Sequence, residues 1–314
     1  MSRNYDLICI GMALVDSIIR GFDPNPVSAS GYRAESCSLN VGGEAVNEAV
    51  AAARLGMKAG ILCSLGRDEA GEMVVSALRR SGVDTGMILR ADGHPTPVTT
   101  MFVREDGSRK SVTNRAHSYN FHPERDCERF LGARALILGS LFRAPFDDPD
   151  VIRSVLSAAK SAGQIVFADT KLPNFRFLKL EDLQDVLPLI DYITPNEDEA
   201  RYYTGRTEPE EMADIFLEKG VQNVIIKLGG KGCLLKNKDE LLSLPAYQIR
   251  AVDATGAGDN FIAGFASELL RGNTPAEALR FANACGAVCT TAVGAGTALR
   301  SREQVLRFLE EQGE

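Results

Sequence analysis

The run Asp253-Ala254-Thr255-Gly256-Ala257-Gly258-Asp259 places an acid behind three small residues, where a helical pattern begins. Phe261, Ile262, Phe265 and Leu269 follow at helical spacing. Glycines let a chain turn sharply and aim successive N–H groups at one point. A helix N-terminus adds partial positive charge. The 256–258 backbone is therefore a candidate anion hole with a carboxylate beside it. Phosphoryl transfer needs that pair: preset donors meet the charge on the equatorial oxygens, and a carboxylate accepts the proton of an attacking hydroxyl. Asp259 is then the base. The same run also describes a glycine-rich turn with an ordinary first-turn acid.

Three further groups suit the same chemistry. Gly42-Gly43-Glu44-Ala45-Val46-Asn47 leads into an Ala-rich helix ending at Leu55-Gly56. Asn47 offers hydroxyls both a donor and an acceptor, and Asp16 can accept from two neighbouring hydroxyls. A first-turn residue and a loop cap are the plainer readings. Asn196 and Glu199, in Thr194-Pro195-Asn196-Glu197-Asp198-Glu199, share a helix face. Such a pair can hold a hydrated Mg²⁺ beside phosphates, or simply start a helix. Lys227-Leu228-Gly229-Gly230-Lys231-Gly232 ends an apolar run, and its glycines permit close approach to a nucleotide. No G-x-x-x-x-G-K-[ST] occurs, which excludes a Walker-type loop.

The elements that must position these residues alternate. Asp6 to Ile10, Gly60 to Ser64, Arg134 to Leu138, Gln164 to Ala168, Asp191 to Thr194, Asn223 to Leu228 and Ala246 to Val252 read as strands. Glu44 to Leu55, Glu69 to Arg80 and Val151 to Ala162 read as helices, each followed by a glycine. The whole run Leu7 to Val15 reads as a buried first strand. Strands apolar on both faces and separated by helices predict an α/β fold with a mainly parallel sheet covered on both sides. Ligands bind at the carboxyl ends of such strands, so the loops after Ile10, Ala168, Thr194 and Leu228 should face the site. Two regions break the alternation. Asp16 to Asn40 is polar and poorly periodic; Val98 to Arg104 and Ser108 to Thr113 flank Asp106-Gly107 like a hairpin. Together they predict a small β flap.

The 314 residues show a globular balance, with 45% hydrophobic and 25% charged. A net charge of −7 speaks against a nucleic-acid partner. The run at Leu7 to Val15 is too short to span a bilayer, so no membrane partner is expected. Seven cysteines without a C-x-x-C pair read as thiols of a reducing cytoplasm. Cys285 and Cys289 can share a helix face, where core packing outweighs a redox or metal pair.

In the Gly-Gly-x-x-x-Asn, Asn-x-x-Glu and Asp-x-x-Gly-Ala-Gly-Asp segments, in that order across nearly the whole chain, the sequence resembles the ribokinase (phosphofructokinase-B-type) carbohydrate kinases. The resemblance implies a ribokinase-like three-layer sandwich over residues 1–314, with lid segments near 12–40 and 96–116 closing over a sugar. It implies ATP and Mg²⁺ as cofactors, with Asp259 as base and Gly256, Ala257 and Gly258 as anion hole. Asp16, Gly42, Gly43 and Asn47 would bind the sugar. Asn196 and Glu199 would act on Mg²⁺ through water. Lys227, Gly229, Gly232 and Asn283 would bind the nucleotide. Asp253 and the carbonyl of Thr255 match part of a K⁺ site, completed by carbonyls in 291–296.

Arg115 can contact substrate or pair with the lid, and a lid with one exposed face can pair into a homodimer. The sequence departs from the family at Asp169-Thr170-Lys171-Leu172-Pro173, where many relatives read Asp-x-Asn-x-Arg. Lys171 can meet a phosphate or an acidic group, or be a solvated loop lysine. Ribose, fructose or a keto-deoxy sugar are the expected acceptors. A nucleoside is the runner-up, with Phe102, Phe121 and Phe142 as walls, and a non-catalytic sugar-binding protein comes last.

Overall fold

A computed structural model describes residues 4–22, 33–104, 108–114 and 121–313. The strands are β1 (Tyr5–Ile10), β2 (Leu14–Arg20), β3 (Ser36–Gly42), β4 (Ala59–Leu62), β5 (Ser64–Gly66), β6 (Leu89–Ala91), β7 (Val98–Val103) and β8 (Arg109–Thr113). They continue with β9 (Ala133–Leu141), β10 (Ile165–Thr170), β11 (Tyr192–Ile193), β12 (Asn223–Lys227), β13 (Cys233–Asn237) and β14 (Leu241–Leu244). The helices are α1 (Glu44–Arg54), α2 (Glu69–Arg80), α3 (Pro149–Ser161), α4 (Glu197–Thr204), α5 (Pro209–Glu218), α6 (Ala257–Leu270), α7 (Pro275–Cys289) and α8 (Arg302–Glu311).

The spine is an eight-stranded sheet in the order β14-β13-β12-β11-β10-β9-β1-β4. From β12 to β4 every pairing is parallel; β13 and β14 add an antiparallel edge. Alternate residues of one strand belong to different cores. Leu7 and Cys9 pack with residues of α1, α6 and α7, while Ile8 and Ile10 pack with residues of α3 and α5. That is the doubly covered sheet expected from runs apolar on both faces.

A second sheet, in the order β3-β2-β7-β8, forms the flap. Its centre is the parallel pair β2–β7, and its outer pairs are antiparallel. The Asp106-Gly107 turn lies outside the described residues. Leu39 on β3 and Val112 on β8 are 62% and 65% exposed, on the two outer strands.

Three expectations change. The run Leu7 to Val15 is not one strand: β1 ends at Ile10, and Val15 pairs with Val41 and Val98 in the flap. An apolar run does not say which sheet receives each half. Gly60 to Ser64 likewise divides at Cys63, with Ser64 passing to the small parallel pair β5–β6. Ala246 to Val252 forms no strand. Pro245 has no N–H to continue the ladder after β14. Asn283 Nδ2 on α7 instead donates to the Pro245 carbonyl at 2.8 Å, and Val252 N donates to Thr290 O at 2.7 Å.

Candidate active site

The α6 N-terminus lies where the carboxyl ends of β10 and β12 meet α1. Gly256 caps the helix in the left-handed conformation, with φ 78°. A Cβ there would lie 2.2 Å from the Ala295 Cβ, so position 256 admits only glycine. Ala257, Gly258 and Asp259 then form the first turn, whose N–H groups have no acceptor within their own helix. Asp253 holds the approach: Oδ1 accepts from Thr255 N (3.0 Å) and Oγ1 (2.7 Å), and Oδ2 from Gly294 N at 2.9 Å. Partial burial opposes the Asp253 charge, yet these bonds bring its pKa below the ordinary value. Segment 291–296 thus lies against the loop. The Ala295 carbonyl accepts from Asn260 Nδ2 at 2.9 Å and the Thr255 carbonyl from the Cys289 thiol at 3.5 Å. Cys285 and Cys289 are buried free thiols.

Asp259 is 5% exposed. Burial pushes its pKa up to about 6; Lys171 and a bond from Asn47 work the other way, while Glu44 and Asp169 add to the rise. Asn47 Nδ2 donates to Asp259 Oδ2 at 2.7 Å. The side chain expected to meet hydroxyls with both its functions therefore gives its donor to Asp259. α1 can place it there because β3 runs directly into the helix through Gly42 and Gly43. Gly43 has φ 101°, and a Cβ on it would lie 2.3 Å from the Met12 carbonyl. Asp16 packs on Gly42, its Oδ2 2.4 Å from where a Cβ would stand. Burial, then the neighbouring Glu44, raises the Asp16 pKa to about 6.

The nucleotide-side candidates also converge. Lys227 Nζ pairs with Asp169 Oδ1 at 2.5 Å, and a Cβ on Gly258 would stand 3.0 Å from the same ammonium. Asn196 and Glu199 cap α4 reciprocally: Asn196 Oδ1 accepts from Glu199 N at 2.9 Å, and Glu199 Oε2 from Asn196 N at 3.0 Å. Glu199 also accepts from Thr170 Oγ1 at 2.8 Å. The helix-start reading of this pair is realised, and it sits beside the chemistry, since Lys227 N donates to Pro195 O at 2.9 Å. Gly229 and Gly232 bracket a short turn between β12 and β13, with φ 58° and 106°. Asn283 lies farther along, tied to Pro245. Arg115 lies outside the described residues.

Two acids that the sequence reading did not single out, Glu48 and Asp169, join Asp259 at the site. One carboxylate oxygen each from Glu48, Asp169 and Asp259 lie within 4.8 Å of one another, all buried. Glu48 is 0% exposed, and neither of its oxygens finds a hydrogen-bond partner. Burial, then Asp259, Asp169 and Glu44, pushes its pKa far up, against a smaller opposing pull from Lys171. Glu44 pairs with Lys171, Oε1 to Nζ 3.5 Å. Burial opposes the Lys171 charge, but Glu44, Asp169, Asp259 and Glu199 outweigh it and raise the pKa. The signal for Glu48 was present: it shares a face with Ala45, Ala49 and Ala52 of α1, all buried. Phe121 and Phe142 are core residues, Phe142 stacked on Tyr203 at 3.9 Å, which removes two walls of a nucleoside pocket. Among the described residues no helix is long and apolar enough to cross a membrane.

A mainly parallel α/β sheet, a β flap and a buried acid in the first turn of a helix are the frame of a phosphotransferase acting on an alcohol, and the comparisons place the chain in that class. Residues 6–302 match the model of the pfkB family carbohydrate kinases, and the chain belongs to that family. It is 31% identical to a ribokinase of Haemophilus influenzae, over 88% of this chain and 89% of the relative. It is 29% identical to a 2-dehydro-3-deoxygluconokinase of Bacillus subtilis, over 90% of each. An Arabidopsis thaliana ribokinase complexed with ribose and ATP superposes with a TM-score of 0.87 at 26% identity, covering 99% of both chains. The chain is thus a carbohydrate kinase, as the sequence motifs led us to expect.

Proposed function

We propose that the chain transfers the γ-phosphoryl of MgATP to a hydroxyl of a small sugar, with Asp259 as the general base. One observation carries this: a buried acid, held by Asn47, stands in the first turn of α6 beside the Lys227 ammonium. The hydroxyl gives its proton to Asp259 as it attacks. The N–H groups of 256–258 and Lys227 meet the charge on the moving phosphoryl. Asp16, Gly42 and Gly43 border the sugar. The capping pair Asn196 and Glu199 would hold Mg²⁺ through its waters, and the 229–232 turn and Asn283 would border the nucleotide. Asp253 with the carbonyls of Thr255 and the 291–296 segment would hold K⁺ at the back of the anion hole. A lid that bares Leu39 and Val112 on its outer strands pairs with the lid of a second copy. Both relatives and the ribose complex leave neutral and acidic sugars open as acceptors.

ADP release across ribose, fructose, 2-keto-3-deoxygluconate and nucleosides tests the reading. Asp259→Asn should lower kcat by about 10²–10⁴-fold and leave sugar binding in place. Near-wild-type turnover by the variant would remove Asp259 from its role. The same assay in Na⁺ instead of K⁺ should run slower if the Asp253 loop holds the larger cation; equal rates would dismiss that site.

A further inference from the structure

We infer that the acceptor this cleft takes is an uncharged polyol, and that sugars carrying a carboxylate or phosphate are turned away. The inference rests on the kinase reading above and narrows its substrate.

A reacting hydroxyl must come within hydrogen-bond reach of Asp259. The rest of a small sugar then lies among the groups around that acid. Those groups carry a marked charge imbalance. Among the described residues, Asp16, Glu44, Asp169, Glu199 and Asp259 lie around the spot against Lys171 and Lys227, with Glu48, whose charge burial opposes, beside them. Both lysines already have acidic partners, and in the kinase reading Lys227 faces the phosphoryl, not the sugar. Lys227 is bound to Asp169 at 2.5 Å. Lys171 is paired with Glu44 at 3.5 Å and lies in the field of Asp169, Asp259 and Glu199 as well. At Asp16, on the lid side, the charged neighbour that makes itself felt is Glu44, another acid. Glu48 finds no hydrogen-bond partner among the described residues.

A carboxylate brought here would be one more negative group in a partly buried site, where like charges are screened poorly and an unpaired ion is costly. Hydroxyls behave in the opposite way. They are donors, and carboxylates accept from them without any change of net charge. The departure at Lys171 therefore does not equip the site for an acidic sugar. The described residues use that lysine as an internal counterion.

Matched pairs test this: ribose against ribose 5-phosphate, fructose against fructose 6-phosphate, and fructose against 2-keto-3-deoxygluconate. Each is titrated calorimetrically into the MgADP-loaded protein, with ADP release measured in parallel. At least one neutral sugar should bind about a hundredfold more tightly than its charged counterpart. Equal or tighter binding of the charged member, or binding of no neutral sugar at millimolar concentration, overturns the inference. Neutral-sugar binding without ADP release would instead defeat the kinase reading and leave this one standing. Glu44→Gln frees Lys171 and should move the charged-to-neutral ratio about tenfold toward the charged sugar. A ratio that stays put, in a variant that still binds the neutral sugar, also overturns it.

Discussion

At the scale of single residues, two side chains set the behaviour of Asp259 and can be separated by pH. Asn47 donates to the ionised form, so it holds the pKa down against burial. With a pKa of about 6, Asp259 should give kcat/KM an acid limb near that pH, with activity falling as pH drops and the base takes up a proton. Asn47→Ala removes the opposing bond, so the limb should move upward and kcat/KM near pH 6 should fall about tenfold. A limb that moves downward, or not at all, would contradict the assignment. Glu48 has the opposite signature. Its folded pKa is raised, so its favourable contribution is complete below the unfolded value of about 4.3 and is lost as pH rises. Glu48→Gln should therefore gain melting temperature relative to the parent as pH goes from 5 to 8, by on the order of a few degrees. A difference that is flat across that range would show that Glu48 is not the strained group. The motif residues were legible one by one because glycines and a terminal acid announce a helix start. Glu48 and Asp169 were not, because what matters about them is that the flank of α1 meets the end of β10.

At the scale of elements, the α6 start depends on close approach. A side chain on Gly258 would reach the Lys227 ammonium, which Asp169 anchors. Gly258→Val should therefore lower kcat by about 10²-fold or more while the fold persists, which circular dichroism and ADP release together would check. Unchanged turnover would place the phosphoryl elsewhere. Helices and central strands were readable from period and glycine stops, Glu69–Arg80 to the residue. Two failures share a cause. Val15 and the 246–252 stretch are apolar enough for a strand, but partner choice decides, and partners are not encoded locally. Val15 finds the flap; the stretch after Pro245 finds α7.

At the scale of the molecule, the β flap and the doubly covered sheet both follow from patterning, and the family match over residues 6–302 agrees. Among the described residues, the flap also carries the most exposed large aliphatic groups on its outer strands. Unpaired apolar edges invite pairing with another chain. Light scattering should then report a dimer that Leu39→Lys converts to monomer. A wild-type monomer at tens of micromolar would reject lid pairing.

The passage of β3 into α1 has a mechanical corollary. The strand that forms part of the roof is covalently continuous, through two glycines, with the helix whose amide grips the proton acceptor. In the proposed reading, a swing of the flap would pull on that bond, so the sugar seat and the readiness of Asp259 would be geared to one another, a restraint on idle hydrolysis of ATP by water.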